Sequence, residues 1–596
     1  MDPLSGRGEA GDAVLFQVLR SRLAGIVQEM QASLFRSGYS TVVRETQDAS
    51  CALLDTSGRV VAQHVVLPLH IGAFPACARA VLDHFGEEIA PGDAFLMNDP
   101  HSGGSPHAPD FAVLVPIFEG PRRIGFAASM AHKSDIGGAV PGSCWNSATD
   151  VYSEGLQLPA VRCELGGAPV PEIERLLAAN SRTPRLVLGD LRAQRGAAHL
   201  GGMRLGEVVG RYGLDALLWF FDEVIALSRR RIEEVVRSWP DGIAEAVRLV
   251  DEDGVVADRP LAVRVRVTVA NHRVGFDFTG SDPQSEGPAN VRLPLVVAAC
   301  AYCVLALAGG EPYVNSGLLD AFDVVCEPGS LLDARHPAPV NTYNPTIHAV
   351  VDACFAALGQ IVAAGSRADG CASRSIVMKA DGDRAVQYEV FGGGAGGHAG
   401  GDGLSGATVD HSNCRIAPVE IVETEYPIRV LETALLADSA GPGRFRGGLG
   451  FRRRYELLQP TQISLRSTRH TIRPAGCGGG APGRAGRATL RSGDGSELVL
   501  RPRCSGIGGR PGDQLVLDTP GGGGLGDPFE RDVARVVDDV ESGYCSARSA
   551  ARDYGVVVVI REDGTAAVDH DATARVRTAR RDEHGRSAGA RPRADG

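Results

Sequence analysis

Residues Phe111–Phe118, FAVLVPIF, and Arg123–Met130, RIGFAASM, are two apolar runs of strand length joined by a loop that contains Gly120 and Pro121. Their length, their branched and aromatic content and the turn residues between them predict a pair of neighbouring strands. Each run carries an H-x-x-D step at its outer end. His107 and Asp110 enter the first run within NDPHSGGSPHAPDF (Asn98–Phe111). His132 and Asp135 leave the second within SMAHKSDIGGAVPGS (Ser129–Ser143). Both steps therefore fall where loops converge and sites are commonly built. A glycine pair flanks each step, Gly103-Gly104 and Gly137-Gly138, and allows tight turns and close backbone approach to a bound atom.

Around this pair the chain alternates in character. Val14–Leu34 has the three-and-four apolar spacing of an amphipathic helix, and CALLD (Cys51–Asp55) with RVVAQ (Arg59–Gln63) predicts a hairpin across TSG. Pro171–Trp239 is helical in pattern, with its long second part, Leu205–Trp239, interrupted near Gly213. Strand-like alternation returns in Leu261–Ala270 and Arg273–Gly280, and two apolar helices follow at Leu293–Leu307 and Pro345–Ala364. Beyond about Arg374 the chain is rich in strands and turns, with FGGGAGGHAGGDG (Phe391–Gly403), RFRGGLGFRRRYEL (Arg444–Leu457) and TPGGGGLGDP (Thr519–Pro528). The expected fold class is α+β, a mixed α/β protein of several parts. These are an N-terminal α+β region with the site (1–170), a helical arm (171–245), a middle α+β region (246–372), a glycine-rich β-dominated region (373–572) and a polar tail without order (573–596).

Composition narrows the function classes. Hydrophobic residues at 43% and charged residues at 22% are globular values, and 596 residues exceed one ordinary core. A net charge of −11 disfavours nucleic acid as the main partner, because phosphate binding needs a concentrated basic surface. Arg229, Arg230 and Arg231 are followed by Glu233 and Glu234 and read as a solvated helix face. Only Leu293–Gly310 approaches the apolar length of a membrane span, and Pro294 with its closing glycines makes it a core helix. The N-terminus lacks a secretion signal and thirteen cysteines are scattered, so a soluble protein of a reducing cytoplasm is expected. Cys300 and Cys303 form one isolated C-x-x-C, read as core packing.

Imidazole and carboxylate together suit a divalent ion such as manganese, zinc or iron. One H-x-x-D step supplies two ligands at most, so a further segment is needed. RETQDAS (Arg44–Ser50) offers Glu45, and HVVLPLHIG (His64–Gly72) offers His64 and His70. The preferred set is Glu45, His107, Asp110 and His132, with Asp135 and His70 as proton-transfer or supporting groups. The plainer alternative is that these residues cap turns. Neither glycine-rich run ends in G-K-[ST], so ATP is not expected on this chain. Arg469 and His398 are candidate substrate contacts. A serine hydrolase is poorly supported, since the G-x-S-x-G match at Gly585–Gly589 lies in the polar tail.

Taken in order, NDPHSGGSPHAPD, AHKSDIGGAVPGS, DVYSEGLQLP (Asp150–Pro159), GDLRAQRGAAHLG (Gly189–Gly201), PAPVNTYN (Pro337–Asn344), DSAGPGRFRGGLG (Asp438–Gly450) and TPGGGGLGDP make the chain resemble the hydantoinase B/5-oxoprolinase family, which includes the metal-carrying subunit of acetone carboxylase. The resemblance implies manganese held at positions matching Glu45, His107, Asp110 and His132. It also implies a separate hydantoinase A-like, ATP-binding subunit in a hetero-oligomer. Ser105-Pro106 lengthens the family's compact loop by one residue, and His101 stands where an aromatic residue is common, marking it as a substrate contact. The expected activity is ATP-dependent opening of a hydantoin or 5-oxoproline type ring. Carboxylation of a ketone through an enol phosphate is the alternative, and a non-catalytic scaffold for the ATPase subunit is a third.

Overall fold

The computed structural model describes residues 9–64, 67–309, 314–372, 374–382, 386–561 and 565–589. The two apolar runs form strands Asp110–Glu119 and Arg122–His132 at the centre of a seven-stranded antiparallel sheet. The predicted hairpin, Ala49–Leu54 with Val60–His64, extends it on one side. Ala94–Met97, Val161–Leu165 and Ala168–Pro169 extend it on the other. The central strands are apolar on both faces because helices cover both. Helices Glu9–Ser37 and Pro184–Tyr212 pack on one face through Leu19, Leu23, Val27, Met30, Leu191 and Ala198. Helix His70–Phe85 packs on the other through Phe74, Cys77 and Val81. Burying such side chains is worth about 1.5–3 kcal/mol each for the larger ones.

The region expected as a helical arm is thus a layer of the N-terminal unit. Amphipathic helices need a surface for their apolar stripe, and the sheet supplies it. Pro184 opens the long helix, and Gly213, at φ 88°, ends it and starts Leu214–Arg237. The break lies where the sequence places it. A second sheet, Gly242–Val250, Leu261–Ala270, Arg273–Asp277 and Phe322–Val325, packs with helices Leu293–Ala308 and Asn344–Ile361 in a core of its own. Cys300 and Cys303 are buried in that core, as expected. The tail expected without order from 573 begins instead inside a helix, His570–Gly589. The rest of that tail lies outside the described residues.

The C-terminal part has two larger sheets and a small two-stranded one, Val558–Ile560 with Ala566–Val568, among the described residues. One of the larger pair runs Gln387–Phe391, Arg374–Ala380, Thr461–Arg466, Arg503–Gly509, and the other has five strands. Beside them the glycine-rich segments form a bundle of extended backbones without β-ladders. Residues 519–526 run through it and exchange hydrogen bonds with several neighbours: Gly394 N–H donates to Pro520 C=O, Gly397 N–H to Gly523 C=O, Gly441 N–H to Gly522 C=O and Gly524 N–H to Ala481 C=O. Packing is limited by backbone contact. A Cβ at Gly522 would lie 1.9 Å from the Ala395 oxygen, and one at Gly394 would lie 2.0 Å from the Gly448 oxygen. The glycines that resemble a nucleotide loop in sequence are here a structural device.

Gly522→Ala is expected to lower stability by about 1–3 kcal/mol or more, because its obstacle is backbone that cannot step aside. Gly493→Ala, with no atom within 4 Å of the new Cβ, is the matched control. Equal melting temperatures for the two variants would refute the steric account.

Candidate metal centre

Strand register builds the site. Asp110 lies directly opposite His132, and Ala49 opposite Ala131 on the next strand. His132 N–H donates to the Asp48 carbonyl at 3.1 Å. Asp48, His132 and Asp110 therefore stand in one row across three strand ends. His107 is one turn earlier, with Asp110 N–H donating to its carbonyl at 3.0 Å. The Asn98 side chain fixes this loop by donating to the carbonyls of Ala108 and Leu156.

One ligand atom each from His107, Asp110 and His132 lies within 4.8 Å of the other two, and all three residues are buried. His107 Nε2 is 3.3 Å from Asp110 Oδ2, and the imidazole rings are 5.1 Å apart. The group faces a small cavity of about 10 Å³, room for a single ion or water, shared with Asp48, Tyr343, Asn344, Tyr388, Ser412 and Cys414. Tyr388 stacks on His132 with ring centroids 4.3 Å apart.

The donors fit a divalent cation. His107 Nδ1 is 2.7 Å from Asn341 Oδ1, an atom that only accepts, so Nδ1 carries the hydrogen and the Nε2 lone pair faces Asp110. Both ring nitrogens of His132 and Oδ1 of Asp110 have no hydrogen-bond partner among the described residues. Buried lone pairs without donors are costly, and one cation satisfies Asp110 Oδ1 together with one His132 ring nitrogen, the other being that ring's N–H. Two imidazoles and one or two carboxylates match manganese, zinc or iron.

Charge states follow from burial and proximity. Burial pushes the His132 imidazole well below its ordinary value. Burial raises the Asp110 carboxyl, but positive charge at the His107 and His132 positions outweighs it and would hold the carboxyl below its ordinary range. Asp48 is pushed up by burial and then by the Asp110 charge. Burial brings His70 down to about 4, with Nδ1 2.9 Å from Ser50 Oγ and Nε2 unpartnered.

The structure gathers three of the four expected ligands. Glu45 is not with them: it closes the single helical turn Thr41–Arg44, and its carboxylate pairs with Arg44 Nε at 2.7 Å. Asp48, which precedes the first strand, faces the cavity in its place. Asp135 is buried but fully engaged, accepting from Gly137 N, Gly142 N and the Arg182 backbone and guanidinium, so it ties loops together and has no free lone pair for proton transfer. His101 binds the Ala338 carbonyl through Nε2, and His398 is exposed with Nδ1 accepting from Gly400 N. Arg469 pairs with Asp352 at 2.6 Å and Asp369 at 3.5 Å, so its charge is already matched. None of these three lines the cavity. Sequence reasoning missed Asp48, Tyr343, Tyr388 and Asn341. Only the DAS triplet before the first strand and the PVNTYN segment offered a signal.

Glu154 supports the centre from behind. Its buried carboxylate accepts from Val340 N at 3.1 Å and Asn341 N at 2.8 Å, positioning the Asn341 side chain on His107. Burial pushes its pKa up to about 8. Folded Glu154 then holds a proton between about 4.5 and about 8 where the unfolded chain does not. The folded state binds more protons there, so this group's stability contribution falls as pH rises through the window. Urea midpoints of Glu154→Gln should gain on the wild type from the acid to the alkaline end of that window. A constant gap would contradict a protonated Glu154.

Known proteins share this architecture. The Hydantoinase B/oxoprolinase family model matches residues 12–528. One subunit of a putative D-/L-hydantoinase of a Pseudomonas species (strain NS671) is 30% identical over 586 residues, covering 95% of this chain and 98% of the relative. The crystal structure of the ATP-dependent caprolactamase of Pseudomonas jessenii superposes with a TM-score of 0.86 at 27% identity, covering 95% and 99% of the two chains. A nucleotide-free acetone carboxylase structure, at 20% identity and TM-score 0.89 over 97% of this chain and 84% of that one, shares the fold. Matched over most of its length by the family model, this chain belongs to the hydantoinase B/oxoprolinase family.

Proposed function

We propose that this chain is the catalytic subunit of an ATP-dependent amidase that opens a cyclic amide of hydantoin or 5-oxoproline type, with Asp48, His107, Asp110 and His132 holding its metal. The observation that carries this reading is the cluster of buried, unpartnered lone pairs on His132 and Asp110. Hydantoin and caprolactam, named in two of the relatives, are both ring amides. A divalent ion, manganese on the family resemblance with zinc and iron suited to the same donors, supplies Lewis-acid polarisation of a carbonyl.

The remaining work falls to side chains of this protein. Asn341 fixes the His107 ring and Tyr388 the His132 ring, which holds the donors in place before substrate arrives. His70, held neutral by burial behind the cavity and with Nε2 unpartnered, is the candidate to accept a proton from attacking water. Tyr343, Asn344 and Ser412 line the space beside the donors and are the substrate contacts in place of His101, His398 and Arg469. ATP is handled by a hydantoinase A-like partner, in keeping with the hydantoinase and caprolactamase relatives that are each named as one subunit of an enzyme. Thirteen unpaired cysteines suit a reducing cytoplasm. No described helix is long and apolar enough to cross a membrane.

Metal analysis is the first test. Asp48→Asn and His132→Ala should each weaken divalent-ion affinity by about 10–100-fold or more, while Glu45→Gln leaves it intact. Retention of a full equivalent in both cavity variants would refute the centre. Reconstitution with the ATP-binding partner is the second. Ring opening should require ATP and vanish in His107→Ala while the two chains still associate. Incorporation of labelled bicarbonate into an organic acid would replace the amidase with a carboxylase, and full activity of His107→Ala would leave only a scaffold.

A further inference from the structure

The sheet that walls the cavity carries an unusual pair. Arg466, the last residue of strand Thr461–Arg466, is the direct cross-strand partner of Arg503, the first residue of Arg503–Gly509. Cross-strand partners project to the same face. Ser375 lies opposite Arg466 on the other side, and Val390 opposite Ser375. Val390 and Tyr388, two residues apart on one strand, both line the metal cavity. The arginines therefore share the cavity-facing side of this sheet. The Arg466 guanidinium carbon is 5.3 Å from the Tyr388 ring centroid.

Both arginines are almost fully buried, at 3% and 2% exposure, and neither forms an ion pair among the described residues. Arg466 donates through Nε to Ser375 Oγ and through Nη1 to Asn341 O and Oδ1, with the Cys144 thiol nearby. Arg503 donates through Nη1 to Thr342 Oγ1 and to the Asp253 carbonyl. Nη2 of each has no partner. The acids nearest Arg503 are spent elsewhere. Asp251 accepts from three backbone amides at 470–472, Asp253 accepts from Val255, Val256 and Gly287, and Glu252 pairs with Arg501.

Like charges directly opposite in a sheet repel, and burial removes the water that would screen them. Guanidinium cannot escape by losing its proton. An oxyanion accepting from both free Nη2 groups would remove the repulsion and the missing hydrogen bonds, and arginine is the side chain best suited to hold a phosphate. We infer that Arg466 and Arg503 form an oxyanion subsite beside the metal centre, built for the phosphate group carried by the activated substrate or released from it. This assignment of phosphate rests on the ATP-dependent reading above. Arg466 also reaches the centre itself, since Asn341 Oδ1 accepts from both Arg466 and His107. An anion held there is thereby coupled to the ring that presents a metal ligand.

The test uses the full chain, with and without divalent metal, titrated with inorganic phosphate and with phenyl phosphate. One phosphate per chain should bind and raise the melting temperature. Arg503→Met and Arg466→Met should each lose at least tenfold in phosphate affinity. In phosphate-free buffer Arg503→Met should melt no lower than wild type, because it relieves the repulsion, and its phosphate-dependent rise should be gone. Binding of phenyl phosphate as well as phosphate identifies the substrate-borne group as occupant, and phosphate alone identifies the released product. Absence of phosphate binding in a metal-loaded chain overturns the subsite while leaving the metal centre intact. So does an Arg503→Met destabilisation that is equal with and without phosphate. Phosphate binding by a chain that takes up no metal overturns the centre alone.

Discussion

Pairing of Asp110 with His132 across the central strands is the constraint on which the functional architecture depends. Antiparallel register fixes which residues meet, and a slip by one position would turn every side chain to the other face. The rest of the sheet enforces that register. Cys51, Leu53, Phe111, Val113 and Ala127 bury one face against two helices, while Ala52, Leu54, Ala112, Leu114 and Ala128 bury the other against a third. A slip would exchange side chains fitted to one helix layer for those fitted to the other, so the Asp110–His132 row is held by packing complementarity on both faces.

The cavity is completed from a distance. Tyr343 and Asn344 come from the start of a helix in the middle unit, and Tyr388, Val390, Ser412 and Cys414 come from the C-terminal part. A small apolar cluster of Val42, Leu67, Leu69, Cys144, Val377, Tyr388 and Val390 joins the N-terminal unit to the C-terminal sheet at this place. The glycine bundle matters for the same reason. It has almost no side chains to absorb error, so its backbones lock at fixed spacing and give the strands bearing Tyr388 and Arg466 a stiff support.

Much of the local structure was legible because it rests on period and turn chemistry. The central strands, the hairpin, the first helix and the break at Gly213 follow from residues within a few positions of one another. The H-x-x-D steps were legible as ligands only in part. Asp110 and His132 sit on the strands that revealed them and His107 in the turn just before one, whereas the choice between Glu45 and Asp48 depends on where a single helical turn stops and a strand begins. Both acids are plausible in the string of letters. Tyr388 and Arg466 were invisible, since they reach the site from distant parts of the chain and carry no motif, and Tyr343 was marked only by its segment PVNTYN. The helical layer looked like an arm for a related reason: an apolar stripe announces that a helix is buried, but not against what.

Buried polarity separates scaffold from site in this molecule. Arg469 and Arg531 are buried too and Arg367 is partly so, and each meets carboxylates at hydrogen-bond distance, while Asp135 is saturated by amides and Arg182. In such networks the charges are matched and hold segments together, even where a single Nε of Arg367 or Arg531 is left without a partner. The residues around the cavity behave differently. His132, Asp110 and His70 keep unpartnered atoms, and so do Arg466 and Arg503 on the adjoining wall. Deficits of opposite sign, lone pairs without a cation and N–H groups without an anion, lie side by side and share Asn341. Unpartnered atoms occur elsewhere in the fold, but at this place two sets of opposite sign adjoin, and the proposed metal and the proposed oxyanion would close them together.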